Sequence, residues 1–277
     1  MKPIGKVLCA TGLLVGLLAY YWQDPFNPES LAGARVLLTG ASAGIGEQMA
    51  YHYARFGAEL VLTARREAVL QKLPQPLLPG LCSRPRPNWL MFSCCQPVPP
   101  GGLDYLVLNH IGANRFQMWA GDVEFTRWLM QVNFFSYVAL ATAALPTLEK
   151  SNGSLVVVSS LAGKIATPFT TSYSATKFAL DGFFSSLRHE LMMQKKNVSV
   201  TLCILGLIDT ESAMESTRGK VHIPASPASE AALAIISGGA TRVQQVFYPW
   251  KLQQVYYLWV LAPSNQVLQS YYNYSSP

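Results

Sequence analysis

Residues 34–65 read ARVLLTGASAGIGEQMAYHYARFGAELVLTAR, and this stretch decides the fold. Positions 34–39 are the pattern of a strand buried on both faces. Gly40-Ala41-Ser42-Ala43-Gly44-Ile45-Gly46 follows. A helix comes next, with Met49, Ala50, Tyr53 and Ala54 as its apolar positions and its end at Gly57. Positions 59–65 read as a second strand. Strand, glycine turn, helix, strand is the opening of a dinucleotide-binding fold. Gly40 and Gly44 permit backbone angles closed to other residues. Gly44 and Gly46 let the chain approach a pyrophosphate and let the helix pack close to the strand. The helix amino terminus offers N–H groups and a positive dipole end to phosphate. Gly40, Ser42, Ala43, Gly44, Ile45 and Gly46 are therefore the candidate cradle. A glycine-rich surface turn is the plainer reading, but it needs neither the strand before nor the helix after.

At the end of the second strand an acidic residue would bond a ribose 2′-hydroxyl. Arg65 and Arg66 stand there instead, and two guanidinium groups pair with a 2′-phosphate. The expected cofactor is NADP(H) rather than NAD(H).

Further along, 102–110 reads as a buried strand, 128–145 as a long helix containing Asn133, and 153–160 as a strand ending in Ser159 and Ser160. Ligand-contacting residues of such sheets sit at the carboxyl ends of strands, which places Ser160 for chemistry. Tyr173 and Lys177 follow, spaced i and i+4 on one side of a helix. A free phenol titrates near 10 and is a poor base at neutral pH. A cation one turn away favours the phenolate, so Lys177 is expected to lower the Tyr173 pKa. Tyr173 then exchanges a proton with an alcohol or ketone oxygen. Ser160 holds that oxygen, Lys177 also bonds the nicotinamide ribose, and Asn133 binds a relay water. Each residue alone has a plain structural reading; their order and spacing together with the glycine turn carry the argument.

The chain has 277 residues, enough for one α/β domain. It is 50% hydrophobic and only 13% charged, which directs attention to a membrane segment. Its net charge of +6 is dispersed and leaves no footprint for nucleic acid. Five cysteines, Cys9, Cys82, Cys94, Cys95 and Cys203, show no metal-ligand spacing, so no metal is expected. Positions 7–22 carry no charge, follow Lys2 and Lys6, and end in Tyr20-Tyr21-Trp22. That pattern predicts an anchor with a cytosolic amino terminus and a lumenal body; a cleaved signal peptide with secretion is the alternative. Sequons at Asn152, Asn197 and Asn273 suit a lumenal glycoprotein. The polar stretch 208–227 has the composition of a mobile lid. The aromatic stretches 246–250 and 255–261 suit either core or contact with a bilayer or partner subunit. The expected architecture is α/β: a Rossmann-like doubly wound parallel sheet in one domain, 24–277, behind an anchor or signal segment at 1–23.

Thr39-Gly40-x-x-x-Gly44-x-Gly46, Asn109, Asn133, Ser160 and Tyr173-x-x-x-Lys177 resemble the short-chain dehydrogenase/reductase pattern. The runs 109–111, 156–164, 177–184 and 205–210 resemble the 11β-hydroxysteroid dehydrogenases of that family. The resemblance implies an NADP(H)-dependent enzyme at the endoplasmic reticulum membrane, often a homodimer, acting on a lipophilic, steroid-like substrate. By the same resemblance Asn109, His110 and Ile111 contact the adenosine ribose side, and Ile208, Thr210 and Ser212 the nicotinamide end. Two departures stand out. Ala43 replaces a lysine of the type 1 enzyme. Residues 73–100 carry eight prolines in 28 residues, where the family has a third strand unit. No helix or central strand survives that proline density, and the segment puts cofactor binding in question. A catalytically weak relative, acting as a membrane-tethered binding or dimerisation partner, is the competing expectation.

Overall fold

The apolar runs become strands of one parallel sheet because both of its faces are covered. They are β1 (Arg35–Thr39), β2 (Glu59–Thr63), β3 (Tyr105–Leu108), β4 (Ser154–Ser160), β5 (Ser199–Leu205) and β8 (Gln245–Tyr248). Their order is β2-β1-β3-β4-β5-β8, parallel throughout. In this computed structural model the described residues are 26–64 and 102–272. The expected membrane segment, Arg65, Arg66, the proline-rich stretch 73–100, Cys9, Cys82, Cys94, Cys95 and the Asn273 sequon lie outside them.

Side-chain alternation along each strand feeds two separate cores. Val36, Leu38, Val107, Val156, Val158, Cys203 and Leu205 point to one face. There they meet α1 (Gly44–Arg55) through Met49, Ala50 and Tyr53, and α6 (Ala228–Ala240) through Ala231, Ala232, Ile235 and Ile236. Leu106, Leu108, Leu155, Val157, Val200, Leu202 and Ile204 point to the other face. That face is covered by α3 (Ser136–Ser151) through Tyr137, Ala141, Ala144 and Leu148, and by α4 (Thr171–Met193) through Leu180, Phe184 and Leu191.

The expected long helix over 128–145 differs in detail. It is built of α2 (Val123–Met130), a π turn (Gln131–Phe135) and α3, with Asn133 inside the π turn. Among the described residues the 123–151 run alone is long and apolar enough to cross a membrane. Its buried residues pack on the sheet, so it serves as a wall of the domain.

After β5 come β6 (Ile208–Asp209), α5 (Glu211–Thr217) and β7 (Ser226–Pro227). The two short strands pair with each other and close the base of the expected lid. The chain ends in α7 (Lys251–Leu261) and α8 (Asn265–Tyr271). The carboxyl-terminal aromatics divide between core and surface. Tyr248 and Val246 pack on the first core, whereas α7 has no buried residue and exposes Val255, Tyr257, Leu258, Val260 and Leu261.

The sheet order reverses at β1, since β2 lies on one side of it and β3 on the other. Open α/β sheets bind ligands beyond the carboxyl ends of the strands at that reversal. The glycine turn after β1 and residues 109–111 after β3 meet there. The scaffold that holds them is a packed core. Leu106→Ala, at a fully buried position, is expected to lower unfolding free energy by about 2–5 kcal/mol in urea titrations.

Candidate active site

Two clusters form along the carboxyl edge of the sheet. The first is the glycine cradle. Gly40 and Gly44 adopt φ of +71° and +57°, conformations that favour glycine. A Cβ on Gly46 would stand 2.0 Å from the Gly40 carbonyl oxygen, so only glycine lets α1 lie this close to the turn. The Gly40 and Ala41 amides donate to the Thr63 carbonyl, at 2.8 and 3.2 Å. Ala43, the N-cap of α1, makes no side-chain capping bond. A phosphate suits the amino end of this helix.

Asn109 supports this turn from β3. Its Nδ2 donates to the Gly40 and Thr39 carbonyls at 3.2 and 3.3 Å. His110, expected with Asn109 on the adenosine ribose side, follows it in the chain. Its ring is 5% exposed and points inward, with Nδ1 2.8 Å from Thr39 Oγ1 and Nε2 2.7 Å from Ser136 Oγ. Ile111, the third residue, is exposed. Ile208 is buried, and Thr210 lies against the cradle, its Cγ2 2.9 Å from where a Gly44 Cβ would be. Ser212 is exposed on the first turn of α5.

The second cluster lies at the end of β4. Ser160 closes that strand and its hydroxyl accepts from the Ala162 amide at 3.2 Å. Tyr173 and Lys177 project from one side of α4. Lys177 is 1% exposed, and its Nζ donates to the Val158 carbonyl at 2.9 Å. It sits 5.6 Å from the centroid of the Tyr173 ring and 5.9 Å from that of Tyr137. Asn133 is fully buried. Its Oδ1 accepts from the Gly112 amide at 2.8 Å, and its Nδ2 donates to Thr176 Oγ1 at 3.2 Å. Thr176 in turn donates to the Tyr173 carbonyl at 2.7 Å. Asn133 is thus tied to the tyrosine–lysine helix through Thr176, a residue that the motif alone does not single out. Its position directly before Lys177 was the available signal.

The electrostatics also depart from expectation. Burial raises the Tyr173 pKa to about 12, opposed by its hydrogen bond with Ser160. Lys177 does not draw the phenol down; burial lowers the lysine itself to about 7. The pair is a protonated phenol beside an amine that exchanges its proton near neutrality.

The expected lid is held at its tip. Lys220 Nζ donates to the Phe116 carbonyl, Val221 bridges to Tyr272, and the His222 amide donates to the Tyr271 carbonyl at 2.8 Å. A shallow depression lies near the start of α4, lined by Trp119, Phe125, Phe169 and Thr170 among others. Among the described residues no His, Cys, Asp and Glu cluster is suited to a metal.

The buried lysine has a consequence for stability. The unfolded lysine titrates near 10.5 and the folded one near 7, so between those values the unfolded chain binds more protons. Stability of the cofactor-free chain is therefore expected to rise from pH 7 to pH 10, by on the order of 1 kcal/mol per pH unit. Above pH 10 the raised Tyr173 pKa works the other way, because the unfolded phenol ionises first. Lys177→Met is expected to flatten the rise in thermal or urea unfolding across this range.

A family model described as short chain dehydrogenase matches residues 95–220. The Hydroxysteroid 11-beta-dehydrogenase 1-like protein of Gallus gallus is 71% identical over 288 aligned residues, covering 100% of both chains. A short chain dehydrogenase from Burkholderia cenocepacia J2315, solved in complex with NADP, is 25% identical with a TM-score of 0.69, covering 87% of this chain and 97% of that one. A short chain dehydrogenase/reductase from Burkholderia phymatum, solved in complex with NAD, shares the fold at 19% identity and a TM-score of 0.69, covering 82% and 92%. The chain belongs to the short-chain dehydrogenase family, and within it to the group of the hydroxysteroid 11-beta-dehydrogenase 1-like proteins.

Proposed function

We propose that this chain is an NADP(H)-dependent oxidoreductase that interconverts a hydroxyl and a ketone on a steroid-like, lipophilic substrate. The observation that carries the reading is the pairing of a phosphate-fitting glycine cradle with a cluster of half-buried Tyr173 and Ser160 and buried Lys177 on the same edge of one sheet. The residues present fit a dinucleotide. The cradle has no room for a Cβ at Gly46, and the amino end of α1 carries no side-chain cap. Gly40, Ser42, Ala43, Gly44, Ile45 and Gly46 would hold the diphosphate. Asn109, His110 and Ile111 would line the adenosine side; for His110 the backbone is what remains for this, since its ring faces inward. Ile208, Thr210 and Ser212 would line the nicotinamide end, with Tyr173 and Lys177 beside it. Arg65 and Arg66 are the residues we assign to the 2′-phosphate. When bound, the nicotinamide supplies or accepts the hydride.

The remaining steps belong to the chain's own groups. Ser160 orients the substrate oxygen. Tyr173 keeps its proton at neutral pH and gives it to a ketone oxygen as reduction proceeds. Lys177, lowered to about 7, is matched to returning that proton, with Asn133 setting the relay from the opposite helix. Oxidation runs through the same atoms in reverse.

A second reading has its own observation. Among the described residues β2 has β1 as its neighbour in the sheet, and the proline-rich stretch 73–100 occupies the family's next strand unit in sequence. On that reading the chain is a weak catalyst that persists as a binding or dimerisation partner.

We place the chain at the endoplasmic reticulum membrane, held by residues 7–22 with its domain lumenal, or secreted if that segment is cleaved. The exposed apolar residues of α7 suit contact with a bilayer or a second subunit, and Asn152 and Asn197 are exposed for glycosylation.

Titration of NADPH into the purified full chain, with NADH as control, separates the two readings of activity. Saturable binding that favours NADPH is expected; no binding by a folded chain overturns the enzymatic reading. Tyr173→Phe is expected to retain NADPH binding and lose about 10²–10⁴ of the ketone-reduction rate. In cells, alkaline carbonate is expected to leave the chain in the membrane pellet, with endoglycosidase H increasing its mobility. Release into the supernatant, or unchanged mobility, would sink the anchored glycoprotein assignment.

A further inference from the structure

His110 has no part in the proton transfers above, yet it is one of the most completely bonded side chains near the site. Its ring lies between the end of β1 and the start of α3. Nδ1 is 2.8 Å from Thr39 Oγ1 and Nε2 is 2.7 Å from Ser136 Oγ. Its carbonyl accepts from the Tyr137 hydroxyl at 2.7 Å, and the two rings pack with centroids 4.6 Å apart.

Counting protons orders this chain. Ser136 donates its hydroxyl proton to the Val132 carbonyl at 2.6 Å. Towards His110 it is therefore an acceptor, and Nε2 carries the hydrogen. A neutral imidazole then has a bare Nδ1. That nitrogen takes the Thr39 hydroxyl at 2.8 Å in preference to the Val107 carbonyl at 3.2 Å. Thr39 Oγ1 meanwhile accepts from the Asn109 amide at 2.9 Å. The bonds run one way, from the Asn109 amide through Thr39, His110 and Ser136 to the Val132 carbonyl. They begin beside the glycine cradle and end within the π turn, on the residue before Asn133.

The π turn needs such a tether. It is one residue wider per turn than an α-helix, rare, and concentrated at functional sites. Ser136 closes it, donating its amide to the Gln131 carbonyl. We infer that His110 is a positioning residue that clamps this turn through Ser136 and so aims Asn133 at Thr176 and the tyrosine–lysine helix. The inference rests on the oxidoreductase reading for its catalytic consequence, but not for the coupling itself.

Three variants test it. A glutamine at 110 reaches the Nε2 position and keeps the Ser136 bond. An asparagine reaches only the Nδ1 position and keeps the Thr39 bond. Ser136→Ala removes the acceptor. Amide hydrogen exchange of residues 132–136 in the full chain is read first, because it needs no turnover. Exchange is expected to quicken about tenfold in His110→Asn and Ser136→Ala and to stay near wild type in His110→Gln. With NADPH and a steroid ketone, kcat is expected to fall about tenfold in the same order, while the NADPH Kd changes by less than about twofold. Equal exchange in the Asn and Gln variants, or unchanged exchange in Ser136→Ala, overturns the inference. A kcat that is unaltered in His110→Asn overturns the positioning role. An inactive wild type with the exchange pattern intact overturns the enzymatic reading while supporting the His110–Ser136 clamp.

Discussion

The hydroxyl of Thr39 joins the two strands between which the sheet order reverses, and the rest of the site hangs from that junction. It lies 3.2 Å from the Val107 carbonyl and accepts from the Asn109 amide at 2.9 Å. It therefore fixes the carboxyl end of β1 against that of β3. Gly40 leaves β1 immediately beyond it, and Asn109 staples that turn through two carbonyls. A threonine at the last position of a strand has a free edge on which to spend its hydroxyl. Here the hydroxyl substitutes for the ladder bonds that end as the strands diverge. The crevice between diverging strands is where a cofactor is accommodated, and Thr39 keeps it from opening further.

The chemistry at the other end of the edge depends on dryness. Lys177 donates to the Val158 carbonyl and faces two aromatic rings. Among the described residues no carboxylate offsets the loss of water, so burial drives its pKa down rather than holding the charge. The same burial holds Tyr173 in its phenol form. A site prepared to deliver a proton is therefore also a site that costs stability, which is the usual condition of catalytic clusters.

Much of this was legible in the sequence, for identifiable reasons. The strands read as continuous apolar runs because helices cover both faces of the sheet. The cradle read from its glycines because Gly46 tolerates no Cβ. Tyr173 and Lys177 read as one face because helical spacing is local. What did not read was non-local or against the usual period. The π turn over Gln131–Phe135 hides within an apolar helical pattern, because one added residue barely alters it. The inward turn of His110 depends on Ser136, 26 positions away. The direction of the Tyr173 and Lys177 shifts depends on burial, which spacing does not reveal. The division of the carboxyl-terminal aromatics into a packed strand and an exposed α7 depends on which neighbours the tail meets.

The proline-rich departure bears on binding and chemistry unequally. The proline-rich stretch follows β2 in sequence, and the carbonyl of Thr63, the last residue of β2, is the acceptor that holds Gly40 and Ala41. From there to Ser160 the sheet interposes β1 and β3 before β4 is reached. Among the described residues, the partners of Asn133, Thr176 and Lys177 come from β4, α4, the π turn and the loop after β3. A defect at 73–100 should accordingly appear as weakened affinity for the adenosine end of the cofactor, with the proton-transfer cluster intact. On this geometry the two readings of function differ in cofactor affinity, and the machinery for chemistry is common to both.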